Sequence, residues 1–274
     1  MITISKLDIS TLANYHNILQ REALLLLADI LKSTYSKLFF EKSIQLSGDD
    51  LETFKSYLIR RENGEPISKI IQKKEFYGIF YKTTRDTLDP RPETELIVDL
   101  FRKNYTNENE KLNILDLGAG TGCVGLSILK YYQNAKCSFI DISENALYIA
   151  KENAKILNLS QRCDFKISDW FQNITETYDI IVSNPPYISK NYDLEKEVLY
   201  DPELALFAEN EGMAAYQTII PTASKFLKSN GLLIIEIGFD QFQKIQEIQT
   251  DLTLLKIEKD LSGIYRTCVF QKKF

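Results

Sequence analysis

The chain has 274 residues, a net charge of −5 and a sequence pI of about 5.2, with 44% hydrophobic and 26% charged residues. This length and composition are typical of a soluble globular protein with one large domain or two smaller ones. The acidic balance argues against a nucleic-acid backbone as the main partner, because proteins that bind one usually carry a basic face.

The cysteines and the single histidine exclude several kinds of site. Cys123, Cys137, Cys163 and Cys268 form no Cys-x-x-Cys pair, so reduced thiols in a cytoplasmic protein are expected rather than zinc or disulfides. His16 alone cannot form a cluster of histidine ligands, and we expect no metal. A mechanism built on a histidine base is also disfavoured.

No stretch of the chain predicts a membrane association. Residues 1–10 lack the basic flank and apolar core of a signal peptide. The longest apolar run, residues 23–28, is far too short to cross a bilayer. We therefore expect no membrane partner.

The first part of the chain predicts helices. Apolar residues recur at three- and four-residue steps between residues 11 and 61. Ser47 is a suitable N-cap for the last of these helices, and Gly64 suits its end. Since no strand signal interrupts this region, we predict a small all-helical domain over residues 1–74, with recognition or packing as its default role.

Residues 75–91 are predicted to form a β-hairpin that links two domains. Residues 76–81 are aromatic and β-like, with a central glycine suited to a turn or bulge. Pro92 then fits the first position of a helix, and Glu93 and Glu95 are favourable in its first turn.

Strands and helices alternate over the remaining domain, residues 92–274. The predicted strands cover residues 112–117, 136–140, 163–167, 179–182, 232–237, 252–258 and 266–271. The predicted helices cover residues 123–132, 144–157, 212–227 and 241–249. This alternation predicts an α/β fold with a mostly parallel sheet and helices on both faces, and the last two strands are close enough to form an antiparallel edge pair.

The segment Asn184-Pro185-Pro186-Tyr187, here the 184–187 corner, follows the fourth of these strands. The prolines end the strand, at the edge where open α/β sheets bind ligands. The Asn184 side-chain oxygen and the Pro185 carbonyl can accept both N–H bonds of a planar NH2 group, while Pro186 adds stiffness and Tyr187 an aromatic face. The alternative is an ordinary proline-rich turn with asparagine as a turn residue.

Polar residues and glycines also follow the first three strands of this domain. The run Gly118-Ala119-Gly120-Thr121-Gly122, here the 118–122 turn, lets the backbone approach a ligand closely. Asp141 ends the second strand, where its carboxylate can accept both hydroxyls of a ribose. Asp169 and Trp170 follow the third strand, where an acid can accept an adenine amino group and an aromatic ring can lie against the base. Together they predict a nucleoside-binding crevice.

Two cofactors fit this crevice. Residues 120–125 satisfy the dinucleotide fingerprint G-x-G-x-x-G, and Asp141 lies about the right distance beyond it. A dehydrogenase also needs an acid/base group, commonly His, Lys or Tyr, and this chain has one histidine. The alternative cofactor is S-adenosylmethionine. The glycines would then lie against its methionine part, and the acidic loop would tolerate its sulfonium charge. The 184–187 corner favours S-adenosylmethionine.

These motifs resemble those of class I methyltransferases that alkylate planar nitrogens. The resemblance is carried by residues 118–122, Asp141, 168–171 and 183–188. Outside this core, residues 61–67, 75–76 and 90–95 resemble one subfamily in particular, the release factor glutamine N5-methyltransferases of the PrmC/HemK family. The chain departs from that family at two positions in the linker region, with Gln72 in place of the usual glycine and Asp89 in place of the usual isoleucine.

The resemblance implies a Rossmann-like, S-adenosylmethionine-dependent methyltransferase domain. It assigns catalysis and substrate binding to the 184–187 corner, and the cofactor to the 118–122 turn, Asp141, Asp169, Trp170 and Asn184. It also implies that the substrate is the glutamine of the Gly-Gly-Gln loop in peptide chain release factors, that the helical domain helps to hold this partner, and that residues 91–95 lie close to the active site. We expect a monomer.

Three alternative functions stay open at this point. A nucleic acid adenine-N6 methyltransferase shares the whole cofactor site and the 184–187 corner. A ribosomal protein glutamine methyltransferase shares the chemistry as well. A non-catalytic S-adenosylmethionine-binding partner of a complex has no need of a corner that holds a nucleophile.

Overall fold

The computed structural model describes residues 2–273, and the chain divides into two compact units. The helical unit contains the chain up to Lys73 together with Leu194–Tyr200. The α/β unit contains Lys74–Asp193 and the chain from Asp201 onward. The predicted domain boundaries of 1–74, 75–91 and 92–274 stay a prediction.

The helical unit has five helices and one small sheet among its described residues. The helices are α1 (Lys6–Tyr15), α2 (Gln20–Ile30), α3 (Tyr35–Phe40), α4 (Gly48–Glu62) and α5 (Ile67–Ile70). Strands β1 (Ile2–Ser5) and β2 (Ser43–Leu46) pair antiparallel. The prediction that this region is all-helical is wrong in that respect, because a strand of four residues offers too few inward positions for a period-two pattern to stand out.

Helix α4 begins where the sequence predicts. The Ser47 hydroxyl accepts the Asp50 N–H at 3.0 Å, and the Asp50 carboxylate accepts the Ser47 N–H at 2.9 Å, which is a capping box. Two residues beyond the helix, Gly64 has a φ of 92°, the left-handed conformation in which glycine ends helices.

The helical unit also holds a segment from far along the chain. Glu197 pairs with Arg61 at 2.5 Å, and the same guanidinium contacts Glu22 at 2.8 Å. The Tyr200 hydroxyl donates to the Asn63 carbonyl at 3.1 Å. Nothing in the local pattern of residues 194–200 predicts this packing, because the contacts are made with helices more than a hundred residues earlier.

The α/β unit begins at the second residue of β3 (Lys73–Phe76), which pairs with β4 (Ile79–Lys82) in a two-stranded ribbon. Tyr77 and Gly78 between them have φ values of 52° and 71°, as in the two-residue turns that suit hairpins. A 3₁₀ turn at Pro92–Thr94 then leads into helix α6 (Glu95–Asn104), so Pro92 does start the helix.

The remaining elements follow the predicted alternation. The strands are β5 (Asn113–Leu117), β6 (Lys136–Asp141), β7 (Cys163–Ile167), β8 (Tyr178–Ser183), β9 (Ile188–Ser189), β10 (Phe207–Ala208), β11 (Leu227–Glu236), β12 (Leu252–Lys259) and β13 (Tyr265–Lys272). The helices are α7 (Cys123–Tyr131), α8 (Glu144–Ile156), α9 (Glu203–Leu206), α10 (Ala214–Phe226) and α11 (Phe242–Gln246). The short elements β9, β10 and α9 were not predicted.

Seven strands form one sheet in the order β12-β13-β11-β8-β5-β6-β7. The five strands from β11 to β7 are parallel, while β13 pairs antiparallel with both neighbours. Successive residues of β5 enter opposite layers of the core, Ile114 on one face and Leu115 on the other. Burial on both faces explains why the central strands are continuous apolar runs. The sheet confirms the predicted fold class and its antiparallel edge pair.

Strand order decides where the predicted site residues meet. Strand β5 lies between β8 and β6, and β7 is next to β6. Since all four strands are parallel, their carboxyl ends share one edge. The connection after β5 leads to β6 on one side, and the connection after β8 leads to β11 on the other, so the topology switches between β5 and β8. Among the described residues, no helix has the length and apolar character needed to cross a membrane.

Gly125, in the first turn of α7, allows this helix to pack closely on the sheet. A Cβ atom there would lie 2.6 Å from Phe139 Cε1 and 2.8 Å from Cys137 Sγ. We expect Gly125→Ala to lower the free energy of unfolding by about 1–3 kcal/mol through overpacking, measured by urea denaturation. Gly48→Ala is the control, because no heavy atom lies within 4 Å of its Cβ position. Equal stability of Gly125→Ala and wild type would contradict this packing.

Candidate active site

A cavity of about 340 Å³ lies at the carboxyl edge of the parallel strands, within the size range of small-molecule sites. The predicted site residues that line it are Gly118, Ala119, Gly120, Thr121, Asp141, Asp169, Trp170, Asn184 and Pro186. Three other predicted site residues do not line it, namely Gly122, Pro185 and Tyr187.

The 118–122 turn has a backbone that only glycine adopts easily. Gly118, Gly120 and Gly122 have φ values of 75°, 55° and 75°. Gly122 is the N-cap of α7, and a Cβ atom there would lie 3.2 Å from Ala150 Cβ. Gly122 therefore supports helix packing, and the turn presents Gly118 to Thr121 to the cavity.

Asp141 fixes the turn from the end of the neighbouring strand. Its Oδ2 accepts the Gly120 N–H at 2.9 Å, and its Oδ1 accepts the Ser143 N–H at 2.9 Å. Burial raises the pKa of Asp141, and these backbone donors oppose the rise. A carboxylate has about four acceptor positions, so Asp141 keeps acceptor capacity for a hydroxyl of a ligand.

Trp170 lies over the turn in a strained backbone conformation. Its φ is 48°, which is rare for a bulky residue, and its Cζ3 atom lies 3.6 Å from the Cβ position of Gly118. The preceding residue, Asp169, accepts a hydrogen bond from the Gln172 amide at 3.0 Å. Strain of this kind is often found at ligand sites, where it holds a side chain in a defined position.

Asn184 presents an unsatisfied oxygen. Its Nδ2 donates to the Thr94 hydroxyl at 3.0 Å, whereas its buried Oδ1 has no hydrogen-bond partner within residues 2–273. An unpaired buried amide oxygen costs free energy that a ligand N–H would recover. Next to it, the Ser183 hydroxyl donates to the Leu117 carbonyl at 2.7 Å, which ties β8 to the start of the 118–122 turn.

Hydrogen bonds fix Tyr187, the last residue of the 184–187 corner. The Tyr187 carbonyl accepts the Gln241 amide at 2.9 Å, and the Tyr187 hydroxyl donates to Glu236 Oε1 at 3.3 Å. A Cβ atom on Gly212 would lie 2.1 Å from the Tyr187 carbonyl oxygen, so only glycine permits this approach. Burial raises the pKa of the Tyr187 hydroxyl, and the nearby Glu236 carboxylate raises it further. These contacts hold the Tyr187 backbone and side chain in one position.

Several residues of the site were not predicted as site residues. Thr94 and Arg91 lie in the segment that resembles the PrmC family, and both line the cavity. Arg91 Nη2 is 2.7 Å from the buried Asp201 carboxylate. Glu236 is a charged residue inside an apolar strand run, a signal that could have been found in the sequence. No charged residue within an apolar run marks the lining residues from the later part of the chain. These are Pro202, Leu204, Ala205, Phe207, Ala208, Ala214, Ala215 and Thr218.

Comparison with known families identifies this arrangement. Residues 10–71 match the PrmC N-terminal domain, and residues 78–208 match the methyltransferase small domain. The release factor glutamine methyltransferase of Coxiella burnetii is 37% identical, with 92% of this chain and 91% of that protein covered. The chain belongs to the release factor glutamine methyltransferase family. The corresponding protein of Caulobacter vibrioides is 39% identical over 80% of this chain and 77% of its own length.

Longer relatives contain the same region. A bifunctional methyltransferase of Rickettsia conorii is 36% identical over 92% of this chain, which spans 53% of that protein. The chain thus spans about half the length of the bifunctional relatives it matches.

Solved structures agree with the fold. A ribosomal protein L11 methylase from Lactobacillus delbrueckii subsp. bulgaricus has a TM-score of 0.50 at 20% identity, covering 68% of this chain and 83% of that one. A T. thermophilus 16S rRNA methyltransferase has a TM-score of 0.52 at 16% identity, covering 73% and 50%.

The family match confirms the predicted Rossmann-like methyltransferase fold and S-adenosylmethionine as its cofactor. The residues present fit that molecule. The 118–122 turn carries no side chain at Gly118 or Gly120, Asp141 offers free acceptor positions, and Trp170 supplies an aromatic face. The role of each residue toward the cofactor stays a prediction.

We expect Asp141→Asn to weaken S-adenosylmethionine binding by about tenfold to a hundredfold, because hydrogen bonds to a charged acceptor are worth about 1.5–3 kcal/mol. Isothermal titration calorimetry measures the change in Kd. Asp164→Asn, on the exposed part of β7, is the matched control. A Kd equal to that of wild type would show that Asp141 serves only the turn.

Asp116 makes stability depend on pH. It is buried below the turn, its Oδ2 accepts the Gly125 N–H at 2.9 Å, and burial raises its pKa to about 7. The folded state therefore retains a proton that the unfolded chain loses near pH 4, and this contribution to stability is lost as the pH rises to 7. We expect Asp116→Asn to gain up to a few kcal/mol over wild type across this range, measured by urea unfolding at several pH values. A pH-independent difference would contradict the raised pKa.

Proposed function

We propose that this protein transfers the methyl group of S-adenosylmethionine to the side-chain amide nitrogen (N5) of the glutamine in the Gly-Gly-Gln loop of peptide chain release factors. The observation that carries the proposal is the buried Oδ1 of Asn184, which has no partner in the described structure. An acceptor of this kind suits the N–H of a primary amide. The named activity of relatives such as the Coxiella burnetii protein supports glutamine as the amide and a release factor as its carrier.

The corner acts on the acceptor by orientation. An amide nitrogen is a poor nucleophile, because its lone pair is delocalised into the carbonyl group. We assign one of its two N–H bonds to Asn184 Oδ1, which lines the cavity, and the other to the carbonyl of Pro185, which is not a lining residue but stands between the lining residues Asn184 and Pro186. This pairing favours the geometry in which the lone pair faces the methyl group. Positioning of this kind contributes several kcal/mol to barrier lowering, and oriented dipoles add to it.

No strong base is required by this chemistry. When bound, S-adenosylmethionine would supply the methyl group as an electrophile, and cleavage of its methyl–sulfur bond would leave S-adenosylhomocysteine. The nitrogen becomes acidic once the new N–C bond has formed, and it then loses a proton to solvent. A site without histidine is therefore adequate, and Asn184, Pro185, Pro186 and Tyr187 act through hydrogen bonds and shape.

The same proposal assigns roles to the rest of the chain. The 118–122 turn, Asp141, Asp169, Trp170 and Asn184 hold the cofactor. The helical domain, residues 1–74, contributes to holding the release factor, as its match to the PrmC N-terminal domain supports. The reaction takes place in the cytoplasm, where release factors act, and the enzyme acts as a monomer.

A methyl-transfer assay with labelled S-adenosylmethionine tests the substrate. The acceptors are an intact release factor, the same factor with the loop glutamine changed to alanine, a ribosomal protein mixture, duplex DNA and tRNA. We expect label in the intact release factor alone. Label in nucleic acid or in ribosomal proteins would leave the methyltransferase fold standing and overturn the substrate.

Asn184→Ala tests the mechanism in the same assay. We expect kcat to fall by about a hundredfold or more, the loss typical when one oriented hydrogen-bonding group is removed from an active site. Cofactor Kd should change far less than kcat. Asn191→Ala, an exposed asparagine shortly after the corner that does not line the cavity, is the matched control. Near wild-type turnover of Asn184→Ala would refute the mechanism.

A further inference from the structure

Arg91 is the one basic side chain among the cavity-lining residues that the structure describes. The lining also contains five acidic side chains, which are those of Asp86, Asp89, Asp116, Asp141 and Asp169. This balance suits the positive groups of S-adenosylmethionine, which are its sulfonium and its α-ammonium group. The cofactor also carries one α-carboxylate. Because like charges repel at short range, that carboxylate needs a partner of opposite sign in so acidic a cavity.

The Arg91 guanidinium is held in place and keeps N–H groups for a ligand. Its Nη2 donates to the Asp201 carboxylate at 2.7 Å, and Asp201 Oδ1 accepts the Asp89 N–H at 3.1 Å. The Asp201 side chain is buried, whereas that of Arg91 is 36% exposed. A guanidinium has five N–H groups, and within residues 2–273 this one donates to Asp201 alone. Its other N–H groups are therefore available to a ligand in the cavity.

The backbone of Arg91 is fixed as well. Pro92 follows it, and a residue before proline is restricted to extended conformations. Arg91 has a φ of −101° and a ψ of 141°, in agreement with that restriction, and its carbonyl accepts the Thr94 N–H at 3.1 Å. A binding group that is already ordered loses little entropy when its ligand arrives. Arg91 is thus preorganised for binding.

We propose that Arg91, held by Asp201, binds the α-carboxylate in the methionine part of S-adenosylmethionine. A guanidinium suits this group, because its N–H bonds lie in one plane and match the geometry of a carboxylate. The inference concerns the cofactor, which the family match gives, and is independent of which acceptor is methylated. The alternative partner of the guanidinium is a group of the acceptor protein, and binding measured without an acceptor separates the two.

Decarboxylated S-adenosylmethionine tests this role, because it keeps the adenosine, the sulfonium and the amine and lacks only the carboxylate. Isothermal titration calorimetry without an acceptor gives the Kd of each ligand. We expect wild type to bind S-adenosylmethionine about tenfold to a hundredfold more tightly, the range for hydrogen bonds to a charged group. Without a cation at the carboxylate the order would reverse, because the decarboxylated ligand is more positive and the cavity is acidic. Equal or reversed affinities in wild type would overturn the proposal.

Arg91→Gln assigns the effect to this residue. We expect the Kd of S-adenosylmethionine to rise about tenfold to a hundredfold, while the Kd of the decarboxylated ligand stays equal or falls. Arg85→Gln is the matched control, since Arg85 is exposed and does not line the cavity. If Arg91→Gln kept the wild-type ratio of the two Kd values and raised only the KM of the acceptor, Arg91 would belong to the acceptor site and the proposal would be wrong.

The decarboxylated ligand also controls for folding. Arg91→Gln leaves the buried Asp201 carboxylate without the Arg91 cation, which lowers stability. Combining it with Asp201→Asn removes both charges at nearly constant shape and should give the same loss of S-adenosylmethionine binding. Unchanged binding of the decarboxylated ligand shows an intact cavity. If both ligands were lost together, the wild-type comparison of the two would still decide.

The proposal and the proposed function fail separately. A wild-type protein that methylates no release factor would refute the proposed function alone, since both titrations are made without an acceptor. Wild-type affinities that do not depend on the carboxylate would refute the role of Arg91 alone, whatever the acceptor.

Discussion

The parallel pairing of β5 with β6 on one side and β8 on the other is the constraint on which the site depends. It places the carboxyl ends of these strands at one edge, with the 118–122 turn between Asp141 and Asn184. Each of these residues then needs only a short connection to reach the cavity. The Ser183 hydroxyl reinforces the pairing by donating to the Leu117 carbonyl at the last position of β5. Packing of apolar residues on both faces of the sheet keeps the edge rigid.

Polar contacts, rather than apolar packing, fix the positions of the glycine turn and the 184–187 corner at that edge of the sheet. The Asp141 carboxylate holds the glycine turn, and the 184–187 corner is held by Thr94, Glu236 and Gln241. These supporting residues come from three separate parts of the chain. Buried networks of this kind are costly when incomplete, so they specify one arrangement strongly. The unpaired Asn184 oxygen is the incomplete position, and it lies where a substrate amide is proposed to bind.

Sequence reasoning succeeded where a local signal was strong. The capping box at Ser47, the helix start at Pro92 and the alternation of strands with helices each arise from a few neighbouring residues. It failed for β1 and β2, which are too short to show a period, and for residues 194–200, whose packing depends on distant helices. The resemblance placed residues 91–95 close to the active site, and Arg91 and Thr94 do line the cavity, but the contact of Thr94 with Asn184 was not predicted. The contact of Glu236 with Tyr187 was missed as well, because the two residues lie far apart along the chain.

The sequence by itself determined the order of strands and helices, the glycine turn and the chemistry offered by the 184–187 corner. These properties follow from side-chain type, backbone preference and short-range periodicity. Only the tertiary structure decided that Gly122 packs against a helix instead of lining the cavity, and that hydrogen bonding fixes the position of Tyr187. It also decided the orientation of the Asn184 amide. That orientation depends on which donors and acceptors surround the group in space, and the chain order of residues 94 and 184 does not contain this information.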